Sequence, residues 1–330
     1  MKTISLNESN AISLIRVLSL ISIISCHCFQ AFNNKWAFVL NIGVQIFLFM
    51  SGYLYGHKDI DNFSIFFLGR IKRVYVPYII FVITMLLIYE CFTSIHVSWK
   101  DFLFHILDLQ AFRGGVGDGR VVLGHLWFIT AIGLSYLTTP ILQKFKNNSS
   151  LIFILLLLIG VIEYLFLHKM LYLFSWIYLY AMGYFYANLK KQFKIVFIIL
   201  STVLSIVIIL HTSWIDILAS NINNRIFHDI IGISIFVDFV FIVKMFSISK
   251  CMSMVKILDK YSYQAFLTHH VFLFGPFSIL LLSKSMQINI FLFLIFTILS
   301  SYILYVISNA LLEIFQRNHL LKSLFIKYLS

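Results

Sequence analysis

Apolar residues run along this chain in long stretches, and polar residues are confined to short breaks between them. Stretches of spanning length fall at about 11–31, 36–55, 74–90, 125–142, 151–168, 171–188, 194–211, 229–246, 261–283 and 288–313. Each approaches the roughly 20 residues that a helix needs to cross the hydrocarbon core of a bilayer. The pattern predicts an all-α, polytopic integral membrane protein of about ten transmembrane helices. Residues 1–330 are expected to form a single transmembrane domain with no appended soluble domain.

Composition agrees with the pattern and excludes a water-facing globule. Of the 330 residues, 61% are hydrophobic and only 12% charged, whereas a soluble domain carries about a quarter charged. Mean hydropathy is +0.94. Any chemistry is therefore expected in or beside the lipid bilayer.

The net charge of +12 is spread through short loops and forms no patch interleaved with base-stacking aromatics, so nucleic acid is not an expected partner. Placing the N-terminus in the cytoplasm puts 17 of the 25 basic residues on the cytoplasmic side and seven opposite, with Arg16 inside the first span. Cytoplasmic loops carry the excess of Lys and Arg. Both termini are accordingly expected in the cytoplasm, and Arg70, Lys72 and Arg73 with them.

Other features alter the picture less. Cys26, Cys28, Cys91 and Cys251 show no CxxC spacing, so neither a disulfide framework nor a metal site is expected. Ile23-Ile24-Ser25-Cys26 resembles a lipoprotein cleavage box, but Arg16 interrupts the preceding apolar run and nine further spans follow. The longest connection, about 91–124, faces outward in this topology. Trp99, Phe102, Leu103, Ile106 and Leu107 follow near-helical spacing there, with Lys100, Asp101, His105 and Asp108 elsewhere on the wheel, which predicts a helix lying in the outer interface. The glycine-rich run Gly114–Gly119 lacks the strand and Lys-Ser/Thr ending of a phosphate loop; it reads equally as a mobile loop over an outward-facing site or as a linker.

Polar residues inside spans carry the candidate chemistry, because a charge at the bilayer centre costs about 2.5–3.5 kcal/mol on insertion scales. Arg16 and His27 lie eleven residues apart, a rotation within about 20° of full turns, so they share one helix face about 16 Å apart along the axis. A guanidinium there suits an anionic group, and an imidazole above it suits proton removal from a hydroxyl. Snorkelling for Arg16 and a hydrogen-bonded core role for His27 are the plainer alternatives. Arg70 and Arg73, three apart before Pro77, would share a face if helical and would suit phosphate or pyrophosphate, or serve as topology signals. His125 and Trp127 open the fourth span and Pro140 closes it. Asp238 lies near the centre of the eighth span, and His269 lies about 12 Å into the membrane from the cytoplasmic side. Each is open to a structural reading as a satisfied polar group.

Taken in order, these residues resemble the acyltransferase-3 family of polytopic membrane proteins. Arg16 and His27 are similar to that family's arginine, ten residues, histidine signature. Gly43 to Gly52 resembles its aromatic-rich stretch ending in Ser-Gly, and Arg70-Ile71-Lys72-Arg73 with Pro77 its RxxR motif. His125-Leu126-Trp127 with Pro140 resembles its HLW…P segment, and Ser262 to His269 its SYxIYLxH motif. Gln45, Leu48 and Ala265 depart from the pattern, where an acidic residue, a Phe and a bulkier apolar residue are usual. The resemblance implies a stand-alone surface-polysaccharide O-acetyltransferase of the bacterial cytoplasmic membrane. Acetyl-CoA would be the acyl donor, with no metal, and a saccharide hydroxyl, free or lipid-linked, the acceptor. His27 and Arg16 would then be catalytic and Arg70 and Arg73 would bind the donor, with His125, Trp127, Asp238 and His269 at the acceptor or behind the reacting groups. The competing class is a transporter or lipid-glycan flippase, in which Arg16, His27, Asp238 and His269 would form a proton or substrate pathway.

Overall fold

The computed structural model describes residues 4–113, 123–162, 172–211, 223–245, 252–280 and 282–317. The expected Gly114–Gly119 turn, Cys251 and the basic residues Lys2, Arg120, Lys169, Lys250, Lys322 and Lys327 lie outside them. Every regular element among the described residues is helical: α1 (Leu6–Ala31), α2 (Gly43–Gly56), α3 (Phe63–Arg70), α4 (Val76–Phe92), α5 (Trp99–Ile106), α6 (Trp127–Lys144), α7 (Ser149–Ile162), α8 (Tyr172–Ala187), α9 (Lys191–His211), α10 (Asn223–Met245), α11 (Met252–Thr268) and α12 (Met286–Arg317). Among the described residues six segments are long and apolar enough to cross a membrane: Leu6–Ala31, Phe63–Phe92, Gly124–Lys144, Lys191–Leu210, Ile226–Met245 and Met286–Phe315. The chain is all-α and carries membrane-spanning helices.

Of the other four expected stretches, two are realised differently and two fall partly outside the described residues. Residues 36–55 divide into a 3-10 turn at Lys35–Ala37 and the short helix α2. Of 151–168 and 171–188, the described parts are α7 and α8. The stretch 261–283 is no single helix. The helix α11 begins earlier, at Met252, and stops at Thr268; a 3-10 turn follows at His269–Phe272, and Gly275 takes a left-handed φ of 80° before Pro276. Pro140 also departs from expectation, since α6 runs through it to Lys144. A proline removes one N–H, a loss that membrane helices tolerate.

The chain forms two compact units, Met1–Asp59 with Ala131–Lys260, and Ile60–Thr130 with Tyr261–Ser330. In the first, α1 starts from Ser5, whose hydroxyl accepts from the Glu8 amide at 3.2 Å. It runs unbroken to the Asn33 turn, where φ is 52°. The helices α2 and α8 cross at glycines on both sides. A Cβ on Gly52 would strike the Tyr180 carbonyl, and one on Gly183 would strike the Phe49 carbonyl. Small residues let membrane helices approach this closely. Around the crossing Phe49 stacks edge-on against Phe236, their ring centres 5.4 Å apart, and Tyr180, Tyr184 and Phe185 are fully buried.

In the second unit, α4 packs against α5 and α12. Ser98 caps α5 by accepting from the Asp101 amide at 3.1 Å. A helix forms where the spacing predicts one: Trp99, Leu103 and Leu107 are exposed while Asp101 and His105 are buried. Tyr78 donates its hydroxyl to the His105 carbonyl and accepts from Gln110 Nε2 at 2.8 Å. Tyr75 donates to the Ile106 carbonyl at 3.2 Å. These bonds pin the first part of the long connection to α4. In α9 and α12 the outward residues are Leu200, Val203, Leu210, Phe291 and Ile298, an apolar exposed surface of the kind that meets lipid tails.

Candidate active site

Arg16 and His27 both lie on the unbroken α1, so the face that their spacing predicts is preserved. His27 is half-buried one residue beyond the buried Cys26. Arg16 has a partner in Asp259 of α11: its Nη1 lies 2.8 Å and 2.9 Å from the two carboxylate oxygens. The contact sits on a small apolar seam in which Val17 packs with Met252 and Val255. A guanidinium has five N–H donors, and both contacts to Asp259 come from one nitrogen. Asp259 was not among the expected site residues. Nothing local marks it, because the pair is separated by 243 positions.

Arg70 and Arg73 belong to the second unit. Arg70 ends α3, and Ile71–Tyr75 then forms a π-helical turn before α4. A π turn bonds i to i+5 and is wider than an α turn, so three residues do not bring Arg73 back onto the face of Arg70. Arg70 is half-buried with its guanidinium 5.8 Å from the Phe66 ring centre, while Arg73 is exposed. The expected pair is thus splayed, one arginine held against an aromatic and the other in the open.

The second unit also brings together two motifs 142 residues apart. His125, in the 3-10 turn that leads into α6, places Nε2 at 2.9 Å from the Leu267 carbonyl of α11. Its ring stacks on His270 at 4.4 Å and meets His269 edge-on at 5.5 Å. A carbonyl only accepts, so His125 carries a proton on Nε2, and its Nδ1 is the basic nitrogen of the neutral ring. His269 is fully buried, and its Nδ1 is bound to the Phe266 carbonyl at 2.8 Å, which leaves Nε2 as its basic nitrogen by the same reasoning. Trp127 is half-buried beside Phe128. His270 was missed in the sequence as a site residue. Its signal was adjacency to His269, and the 3-10 turn at His269–Phe272 is what turns both imidazoles toward His125.

A protein-family model described as an acyltransferase domain matches residues 9–306, the span that contains every one of these motifs. The chain belongs to the acyltransferase-3 family. No curated protein and no solved structure matches it. As a membrane acyltransferase the chain needs a base and access for its donor and acceptor, and the described residues supply candidate bases in each unit.

In this acyltransferase Asp238 of α10 is enclosed by hydroxyls. It accepts from Thr202 Oγ1 at 2.8 Å and 3.0 Å and from Ser234 at 3.0 Å, an arrangement that fixes α9 against α10. Among the described residues no group of three or more His, Cys, Asp or Glu side chains converges as a metal site would. Two further polar centres were not anticipated. Glu8 accepts from the Tyr53 hydroxyl and pairs with Lys244 at 2.6 Å. Asp108 is buried at a left-handed φ of 53° and accepts from the Thr130 hydroxyl at 2.8 Å. Burial pushes the Asp108 carboxyl up to about 8, against a smaller lowering from the Thr130 hydrogen bond.

Proposed function

We propose that this membrane acyltransferase moves an acetyl group from acetyl-CoA to a hydroxyl of a cell-surface polysaccharide or of its lipid-linked precursor. In this reading the chain lies in the bacterial cytoplasmic membrane, crosses it ten times and keeps both termini in the cytoplasm. The observation that carries the reading is the placement of Arg16 and His27 on one face of an unbroken α1 in a chain of this family.

The chemistry follows from these residue types. His27 takes the proton of the acceptor hydroxyl as that oxygen attacks the thioester carbonyl. The carbon–sulfur bond breaks, the acyl group passes to oxygen, and the proton goes on to the departing thiolate. Arg16, held by Asp259 about 16 Å from His27 along the same face, meets an anionic group of the donor entering from the cytoplasm. Arg70 and Arg73 offer charge-assisted hydrogen bonds to the donor phosphates. In this reading His125, Trp127 and His269 serve the acceptor, and Asp238 supports the reacting groups. The transport alternative needs Asp238 to relay protons, but Asp238 is committed to three hydroxyl contacts.

Mass spectrometry of surface polysaccharide from cells with and without this chain tests the proposal. Loss of the acetyl increment when the chain is absent supports it. Identical glycans in both samples would refute O-acetylation, and an accumulated lipid-linked intermediate in its place would favour transport.

A further inference from the structure

At one end of the first unit a cavity of about 280 Å3 opens between α9, α10 and the ends of α2 and α8. Its polar lining is Lys191, Lys194 and Lys244, with the buried Tyr53 and Tyr186. Its apolar lining runs from Ile198 and the buried Val240 to Phe241 and Met245, and the last two are also exposed on the outer surface of the helices. The lysines are not equivalent. Lys244 is neutralised by Glu8 at 2.6 Å. Lys194 is fixed to the cavity wall by donating to the Ala187 carbonyl at 2.8 Å, with the Tyr186 and Tyr53 ring centres 5.3 Å and 5.8 Å away. Lys191 is exposed at the first residue of α9, so the positive end of that helix dipole adds to its charge.

A cavity lined by lysines, whose apolar wall continues onto an exposed hydrophobic surface, matches a molecule with a phosphate at one end and hydrocarbon at the other. Small-molecule pockets run to about 300–1,000 Å3, so this cavity holds a phosphoglycerol headgroup more readily than a whole coenzyme. We propose that Lys191 and Lys194 bind the phosphate of an anionic membrane phospholipid, whose acyl chain lies along Phe241 and Met245. The site is separate from the proposed acetyl transfer. None of its residues belongs to the Arg16–His27 face, the arginine pair or the histidine cluster. A lipid held there bridges α9 and α10 to the ends of α2 and α8.

Native mass spectrometry of the purified full-length protein tests the site, with dioleoylphosphatidylglycerol and dioleoylphosphatidylcholine as probes. Wild type is expected to retain phosphatidylglycerol preferentially. Lys191→Gln/Lys194→Gln should weaken that retention about thirtyfold, each lysine near an anionic headgroup contributing about fivefold. Lys72→Gln/Lys256→Gln, which removes the same charge elsewhere, should retain the lipid as wild type does. If the double variant elutes as aggregate, Lys191→Gln alone is read against an expected fivefold loss. Equal retention of the two lipids by wild type, or equal loss in the control variant, would overturn the proposal. Displacement of phosphatidylglycerol by glycerol 3-phosphate or by coenzyme A would instead assign the lysines to a soluble phosphate and overturn the lipid assignment.

Discussion

Arg16 Nη1 grips both carboxylate oxygens of Asp259, at 2.8 Å and 2.9 Å, and so ties the first helix to a helix near the other end of the chain. The pair is partly shielded, with side-chain exposures of 28% and 13%. Removing either partner leaves a charge in surroundings poor in water. Asp259→Ala should lower the thermal midpoint in detergent and reduce acyl transfer. In a double-mutant cycle with Arg16→Ala, a coupling of about 1–3 kcal/mol is expected. A coupling near zero would show that the contact contributes nothing.

His27→Gln keeps hydrogen-bonding capacity and approximate volume but removes the base. Protein of this variant should insert, fold and bind donor, yet transfer at least about 100-fold more slowly, the lower range for loss of a general base. Near-normal turnover would withdraw the assignment and leave His269 as the next candidate.

The splayed arginines make separable predictions. Arg73 is exposed, so Arg73→Lys should weaken acetyl-CoA binding while leaving the melting temperature unchanged. Arg70→Lys should weaken donor binding and also lower the melting temperature, because the planar contact with Phe66 is lost. Titration of acetyl-CoA by calorimetry, beside melts of the same preparations, distinguishes the two. A double Lys variant that binds donor as tightly as wild type would remove the proposed role.

Gly52→Ala should be destabilising by about 1–3 kcal/mol through overpacking, since its Cβ meets the Tyr180 carbonyl on the neighbouring helix. Gly133→Ala is the matched control. Its Cβ meets nothing within 4 Å among the described residues, and alanine is the better helix former by about 1 kcal/mol. It should be neutral or stabilising. Thermal melts in one detergent settle both, and equal effects would contradict the close α2–α8 crossing.

Asp108 makes stability depend on pH in the direction opposite to that of a salt-bridged carboxylate. Its native pKa is raised from 3.8 to about 8, so between these values the folded chain holds a proton that the unfolded chain has released. Its contribution is fully present below pH 3.8 and is lost as pH rises through about 8. Asp108→Asn, which tolerates the same left-handed backbone, should remove this component. The difference in melting temperature between variant and wild type should shift in the variant's favour from pH 5 to pH 8. A difference independent of pH would show that Asp108 is ionised in the folded protein.

Some of this site was readable along the chain because its geometry is local. The separation of Arg16 from His27 places them on one face through the helical repeat alone, and the alternation of Trp99, Leu103 and Leu107 with Asp101 and His105 marks α5 with its two faces. Arg70 and Arg73 show where local reasoning stops. Their spacing assumed an α-helix, and the π turn at Ile71–Tyr75 separated them.

The sequence by itself determined what its periodicity and transfer energetics control: an all-α chain in a bilayer, a polar face on α1, and the two-faced helix α5. Tertiary structure alone decided who meets whom. It paired Arg16 with Asp259 across 243 positions and stacked His125 on His270. It also aimed Gly52 at the Tyr180 carbonyl and ended α11 at Thr268, so that two adjacent histidines turn toward a third. The physical reason is that apolar stretches are nearly interchangeable to lipid. Which helix neighbours which is decided by close packing and by the need of each buried polar group for a partner, and those partners lie far away along the chain.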